Sequence, residues 1–191
     1  AELKRFHQSL GATIIYVTHD QLEAMTMADN MAVMSGGVLQ QYDAPERIFE
    51  EPANTFVASF VGSPAMNLLK ATVVERDGSV MVTGEGWELA LSARNADCAK
   101  SATSTDVFLG ARHSSLALHE QETPGCIPGR VFTVEPTGDL TYAHVEVGDS
   151  TVVISIEPQR HLQADQPVWI EFDQDRLHLV DGRTDQRIAP S

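Results

Sequence analysis

Two kinds of hydrophobic periodicity divide the chain. Leu3, Phe6, His7 and Leu10 recur at helical spacing, and Gly11 stands where a glycine closes such a helix. Thr13-Ile14-Ile15-Tyr16-Val17 is a β-branched apolar run without alternation, the pattern of a parallel strand buried on both faces. From Gln21 to Asp29, Leu22, Met25 and Ala28 return to helical spacing, with Asp20 as the expected N-cap and Glu23 completing the spacing of a capping box. Met31–Met34 and Val38–Tyr42 flank Ser35-Gly36-Gly37 and predict a hairpin. Pro45 suits the first turn of a helix that Pro52 stops, and Asn54 caps a second one carrying Phe56, Val57 and Phe60.

The pattern changes at Ser63-Pro64. Beyond Leu68, short alternating runs are separated by Asp77-Gly78, Gly84-Glu85-Gly86, Gly138-Asp139 and Gly148-Asp149. Val73, Val80, Val82, Val131, Val145, Ile154, Val168, Ile170 and Phe172 supply strand interiors. Strands at this density predict a small barrel or sandwich. Residues 92–106, rich in Ala, Ser and Thr, read as a longer loop. The expected domains are therefore an α/β segment over 1–62 and a mostly β domain over 63–191.

Composition narrows the function classes. Hydrophobic residues make up 42% of the 191, enough for a packed core, although aromatics are only 6%. A formal net charge of −14 repels phosphate backbones and anionic head groups, so no nucleic-acid partner is expected. Cys98 and Cys126 form no CxxC and have no flanking His cluster, so reduced thiols and no metal site are expected. No apolar run approaches the length of a membrane span. The chain opens at Ala1-Glu2 without an initiator Met, inside a helical pattern, and is expected to be a fragment of a longer protein.

Four stretches, in order, carry a resemblance. Ile15-Tyr16-Val17-Thr18-His19-Asp20-Gln21-Leu22-Glu23-Ala24-Met25 resembles the switch-histidine segment of ABC-transporter ATPases, above all those importing maltose and other sugars, polyols and glycerol 3-phosphate. Met34 to Gln41 resembles the family's final hairpin, and Pro52 to Asn67 its passage into a regulatory domain. Asp175 to Asp181 resembles the closing strand of that domain, called TOBE and built on an oligonucleotide-binding-like (OB-like) barrel. The resemblance implies an α+β chain: the tail of an α/β phosphate-loop nucleotide-binding domain over 1–62, then an OB-like regulatory and dimerisation domain over 63–191. The phosphate loop (Gly-x4-Gly-Lys-Ser/Thr), the Leu-Ser-Gly-Gly-Gln segment and the strand ending in Asp-Glu do not occur in these residues. ATP and Mg would be cofactors of the intact protein, and none is expected for the fragment, which should be inactive alone. The implied partners are a second copy through the β domain, transmembrane permease subunits and a cytoplasmic regulator of sugar uptake. The implied location is the cytoplasmic face of a bacterial inner membrane. One departure lies at Leu109-Gly110-Ala111-Arg112-His113-Ser114, where the family commonly has Leu-Gly-Ile-Arg-Pro-Glu.

His19 is the one catalytic candidate. At a strand end its imidazole would hydrogen-bond the γ-phosphate and a catalytic carboxylate, sensing nucleotide and orienting water, but only in the intact protein. Met25, Met27, Met31 and Met34 read as core packing rather than a Met-rich groove. His113, His119, His144, His161 and His178 show no ligand spacing, and Trp87 and Trp169 read as core anchors. An alternative is a free-standing barrel binding a small ligand or oxyanion, which leaves residues 1–61 unexplained. A hydrolase using His19 and Asp20 would need a nucleophile or metal cluster that the sequence does not offer.

Overall fold

In the computed structural model, residues 11–189 are described. The helix predicted over Leu3–Leu10 lies outside them. The chain divides into two compact units, one ending at Gly62 and one beginning at Ser63.

The first unit holds α1 (Gln21–Met27), the hairpin β1 (Met31–Ser35) and β2 (Val38–Asp43), α2 (Pro45–Glu50) and α3 (Thr55–Phe60). Val33, Ile48, Val57 and Val61 form its core, with Met25, Met31, Phe49 and Phe56 packed against it. Met34 is exposed instead. Amide side chains fix the turns: Gln41 Nε2 donates to Glu51 O (3.1 Å) and its Oε1 accepts from Ala53 N (2.8 Å). Asn54 Oδ1 caps α3 through Val57 N (2.9 Å) while its Nδ2 donates to Gln40 Oε1 (2.9 Å).

The strand predicted over Thr13–Val17 is not formed. Residues 12–18 carry no regular structure, and Ile15 and Val17 are each 90% exposed. A buried parallel strand needs neighbours on its edges and helices on its faces. Among the described residues the only sheet in this unit is the β1–β2 hairpin.

The second unit is mostly β. One antiparallel sheet runs β12-β6-β3-β4-β5, from β3 (Asn67–Arg76), β4 (Ser79–Gly84), β5 (Trp87–Ala90), β6 (Asp106–Ala111) and β12 (His178–Asp181). The other runs β10-β9-β8-β11-β7, from β7 (Leu116–His119), β8 (Ile127–Pro136), β9 (Thr141–Val147), β10 (Ser150–Ile156) and β11 (Pro167–Phe172). Period-two burial explains the pairing: Thr141, Ala143, Val145 and Val147 turn inward along β9, and Val168, Ile170 and Phe172 along β11. Inner faces of both sheets share one core, which includes Leu69, Val82, Leu109, Ile127, Ile154 and Leu179. Asn67, itself buried, locks β3 to β10 by bonding both Val153 O (2.9 Å) and Val153 N (2.8 Å). Asp77-Gly78 makes the predicted two-residue turn, both with positive φ. At Gly84 a Cβ would fall 2.3 Å from the Trp87 ring, so the missing side chain is what lets the indole fold back into the core.

Residues 92–106 are not a loop throughout: Ala93–Lys100 is a helix, α4. Ser92 Oγ accepts from Asn95 N (3.3 Å), and buried Asn95 donates to Gln174 O (2.8 Å) and Oε1 (2.9 Å). Cys98 and Ala99 enter the core. Small side chains hide the helical stripe, whereas alanine propensity and the serine cap were the signals that mattered.

Candidate functional site

His19 does not end a strand. It lies on the irregular segment just before α1 and is exposed. Its neighbours are nevertheless held. Asp20 Oδ1 accepts from Glu23 N (3.1 Å), so the predicted cap forms. Glu23 does not return to the cap backbone as a capping box would. Its Oε2 accepts from Tyr16 Oη (3.0 Å) and Thr18 Oγ1 (3.0 Å), and Thr18 Oγ1 in turn accepts from Asp20 N (3.0 Å). The carboxylate thereby draws residues 16–20 onto the first turn of α1, with His19 presented between two anchored neighbours. The hydrogen bond to Glu23, with its charge, raises the Tyr16 phenol above its ordinary value. Gln21 closes the far side, donating to Phe60 O and accepting from Gly62 N (3.0 Å).

In the second unit, the departure at Ala111-Arg112-His113-Ser114 forms a packed corner. Ala111, Arg112 and Ser115 are buried, and His113–Ser115 makes a single 3₁₀ turn. The His113 ring meets Tyr142 edge-on at 5.3 Å. Burial pushes this imidazole below its ordinary value, and the Arg112 and Arg176 charges add to that. His161 is exposed, while His144 on β9 donates to Glu135 (3.3 Å) and His178 sits on β12. Trp87 is the core anchor expected of it, but Trp169 is half-buried and lines a surface groove.

A grouping that spacing along the chain does not reveal lies beside Trp169. His119, Cys126 and Glu171 bring one potential ligand atom each within 4.8 Å of one another. His119 Nε2 donates to Glu171 Oε2 at 2.8 Å. The register explains the meeting: Trp169 pairs with His119 and Ile170 with both Leu118 and Ile127. Leu118, Ile127 and Ile170 face the core, so their neighbours His119, Cys126 and Glu171 turn to the outer face. Both cysteines are free thiols, and burial, with Glu171 nearby, pushes the Cys126 thiol up. Only strand register could have found this group, and register is not written in residue spacing.

Family models match two segments of the chain: the MalK OB fold domain over residues 62–112 and the TOBE domain over residues 121–179. The chain is 40% identical over 189 residues to an uncharacterized ABC transporter ATP-binding protein, y4oS, of Sinorhizobium fredii (strain NBRC 101917 / NGR234), covering 99% of this chain and 49% of the relative. It is 38% identical over 187 residues to the sn-glycerol-3-phosphate import ATP-binding protein UgpC of Escherichia coli (strain K12), covering 98% of this chain and 51% of that protein. The chain thus spans about half the length of the curated relatives it matches. Among solved structures, the cytoplasmic molybdate-binding protein ModG, crystallised with molybdate bound, overlaps 59% of this chain and 94% of its own at a TM-score of 0.47 and 15% identity. The chain is homologous to the C-terminal part of UgpC-type ABC importer ATPases and carries a MalK-type OB-fold segment followed by a TOBE domain.

Proposed function

We propose that this chain is the regulatory portion, with the tail of the nucleotide-binding domain, of an ATPase that drives import of a sugar, polyol or glycerol 3-phosphate. The observation that carries the reading is identity of 38–40% to import and transporter ATP-binding proteins along 98–99% of the chain. Residues 1–62 are read as the end of an α/β phosphate-loop domain whose sheet is completed by the half of the relatives not represented here. Support comes from the exposure of Ile15, Val17 and Leu22, apolar side chains that such a sheet would cover. ATP and Mg are cofactors of that complete enzyme, and the phosphates are cradled by its loop rather than by these residues. His19 is the switch histidine, reaching the γ-phosphate while Glu23 holds the segment. The name of UgpC favours glycerol 3-phosphate within the substrate class. Permease subunits are the membrane partners, and the complete enzyme is peripheral on their cytoplasmic side. Among the described residues no helix is long and apolar enough to cross a membrane. The coding sequence upstream of Ala1 is expected to encode a phosphate loop, then Leu-Ser-Gly-Gly-Gln, then a strand ending in Asp-Glu. An open reading frame without them would sink the reading.

The second unit serves as the dimer contact and as the landing surface for a regulator of uptake. Phe132, 61% exposed at the bulge in β8, and Leu140, 41% exposed on the following turn, are the large apolar side chains this unit exposes among the described residues. Light scattering should report a dimer that Phe132→Lys converts to monomer. A strict monomer at high concentration would remove the pairing role from this unit.

A further inference from the structure

The outer face of β7, β11 and the start of β8 carries a mixed donor set on a rigid frame. Glu171 lies on the central strand of the three. Cys126 flanks it on the β8 side and His119 diagonally on the β7 side. Their three ligand atoms lie within 4.8 Å. Around a tetrahedral zinc ion, bonds of about 2.0–2.3 Å separate neighbouring donors by about 3.3–3.7 Å. Small side-chain rotations from the 2.8 Å His119–Glu171 hydrogen bond reach that spacing. We propose that His119, Cys126 and Glu171 bind a borderline divalent metal ion, Zn²⁺ before others, with water in the fourth position.

The chemistry of the set selects the ion. Hard cations such as Mg²⁺ and Ca²⁺ take oxygen ligands, and here one carboxylate stands beside an imidazole and a thiol. A nitrogen, a sulfur and an oxygen suit tetrahedral zinc with one open position. On binding, the metal replaces the Cys126 thiol proton, which leaves to solvent. It takes one imidazole nitrogen lone pair, and the ring keeps its proton on the other nitrogen. The thiolate and the Glu171 carboxylate then neutralise the two positive charges. A groove of about 670 Å³ lined by Glu122 to Cys126, Pro128 and Trp169 opens beside Cys126, the one proposed ligand that lines it. Glu122, which also lines it, adds a second carboxylate that attracts cations.

The consequence is mechanical. The connection from Glu120 to Cys126 joins β7 to β8, and Cys126 N already donates to Thr123 O (3.2 Å) across its last turn. Glu120 ties its other end to Arg160 (3.2 Å) and Gln166 (3.1 Å). A metal bound at Cys126 staples that connection to β11, fixing one edge of the regulatory unit.

Titration of the metal-free chain with Co²⁺ tests this directly. One equivalent should bring a near-ultraviolet thiolate-to-cobalt charge-transfer band and strong visible bands of four-coordination, both erased by Zn²⁺. Cys126→Ser should abolish the charge-transfer band and weaken Zn²⁺ binding at least about 100-fold, and His119→Ala or Glu171→Gln should weaken it about 10–100-fold. His161→Ala, altering an exposed histidine elsewhere, should change neither. Melting of each variant without metal verifies folding, and at a Zn²⁺ concentration near the wild-type dissociation constant the wild type and His161→Ala should gain clearly more stability than the three ligand variants. A titration without the charge-transfer band, or a band that survives Cys126→Ser, would overturn the site. So would Zn²⁺ affinity that falls as much with His161→Ala as with His119→Ala.

Discussion

In the proposed complete ATPase, His19→Ala is expected to lower ATP turnover by about 10²–10⁴-fold, the range that positioned acid–base groups contribute, while nucleotide affinity changes far less. The expectation follows from the division of labour in the proposed site. In the proposed enzyme, affinity for ATP would come from backbone amides and a lysine of the phosphate loop rather than from His19. The imidazole would act only where charge develops on the γ-phosphate and the attacking water must be aligned. Its placement depends on the Glu23 carboxylate, which holds Tyr16 and Thr18 on either side of Val17 and anchors the approach to Asp20. Single-turnover hydrolysis and equilibrium binding of a non-hydrolysable nucleotide separate the two effects. Near-normal turnover in the variant would reject the switch role, and a parallel loss of binding would mean that His19 supports the fold of the site instead.

Local signals were legible where local chemistry decides. Asp20 and Asn54 cap the helices they precede, Gly36-Gly37 and Asp77-Gly78 turn the hairpins, and the valine alternation of β9 to β11 gives the inward faces. What failed needed partners distant in sequence. Thr13–Val17 has the composition of a buried strand, and composition cannot form a strand without neighbours to pair with. In α4 the helix is carried by alanines and a serine cap, and its burial rests on Gln174, which arrives from far along the chain. His119, Cys126 and Glu171 are assembled by strand register alone. Glu23 was legible as half of a capping box, yet its carboxylate has better donors in Tyr16 and Thr18 than in the cap backbone.

Asp181→Ala should strongly destabilise the second unit, by about 3–5 kcal/mol, because it removes a buried carboxylate that satisfies several donors at once. Asp181 is 2% exposed at the end of β12. Its Oδ1 accepts from Arg183 N (2.9 Å) and Thr184 N (2.9 Å), and its Oδ2 from Thr103 Oγ1 (2.7 Å) and Thr103 N. One side chain thus fastens the turn after β12 to the connection between α4 and β6. Burial alone would push this carboxyl up. The hydrogen bonds from Thr184, Thr103 and Arg183 outweigh that and hold it well below the usual carboxylate range. A folded-state value below the unfolded one means stability that is complete above about pH 5 and is lost as pH falls through about 4 and lower. Asp181→Asn, which keeps the volume but places an NH₂ against N–H donors, should cost about 2–3 kcal/mol near neutral pH. The gap between wild type and this variant should narrow as the pH is lowered from about 5 towards 2. Urea unfolding followed across that range decides the matter. A gap that stays constant would show that Asp181 acts by packing and neutral hydrogen bonds. A narrowing gap assigns the effect to the charge, which only a folded ring of donors around Thr103, Arg183 and Thr184 can hold.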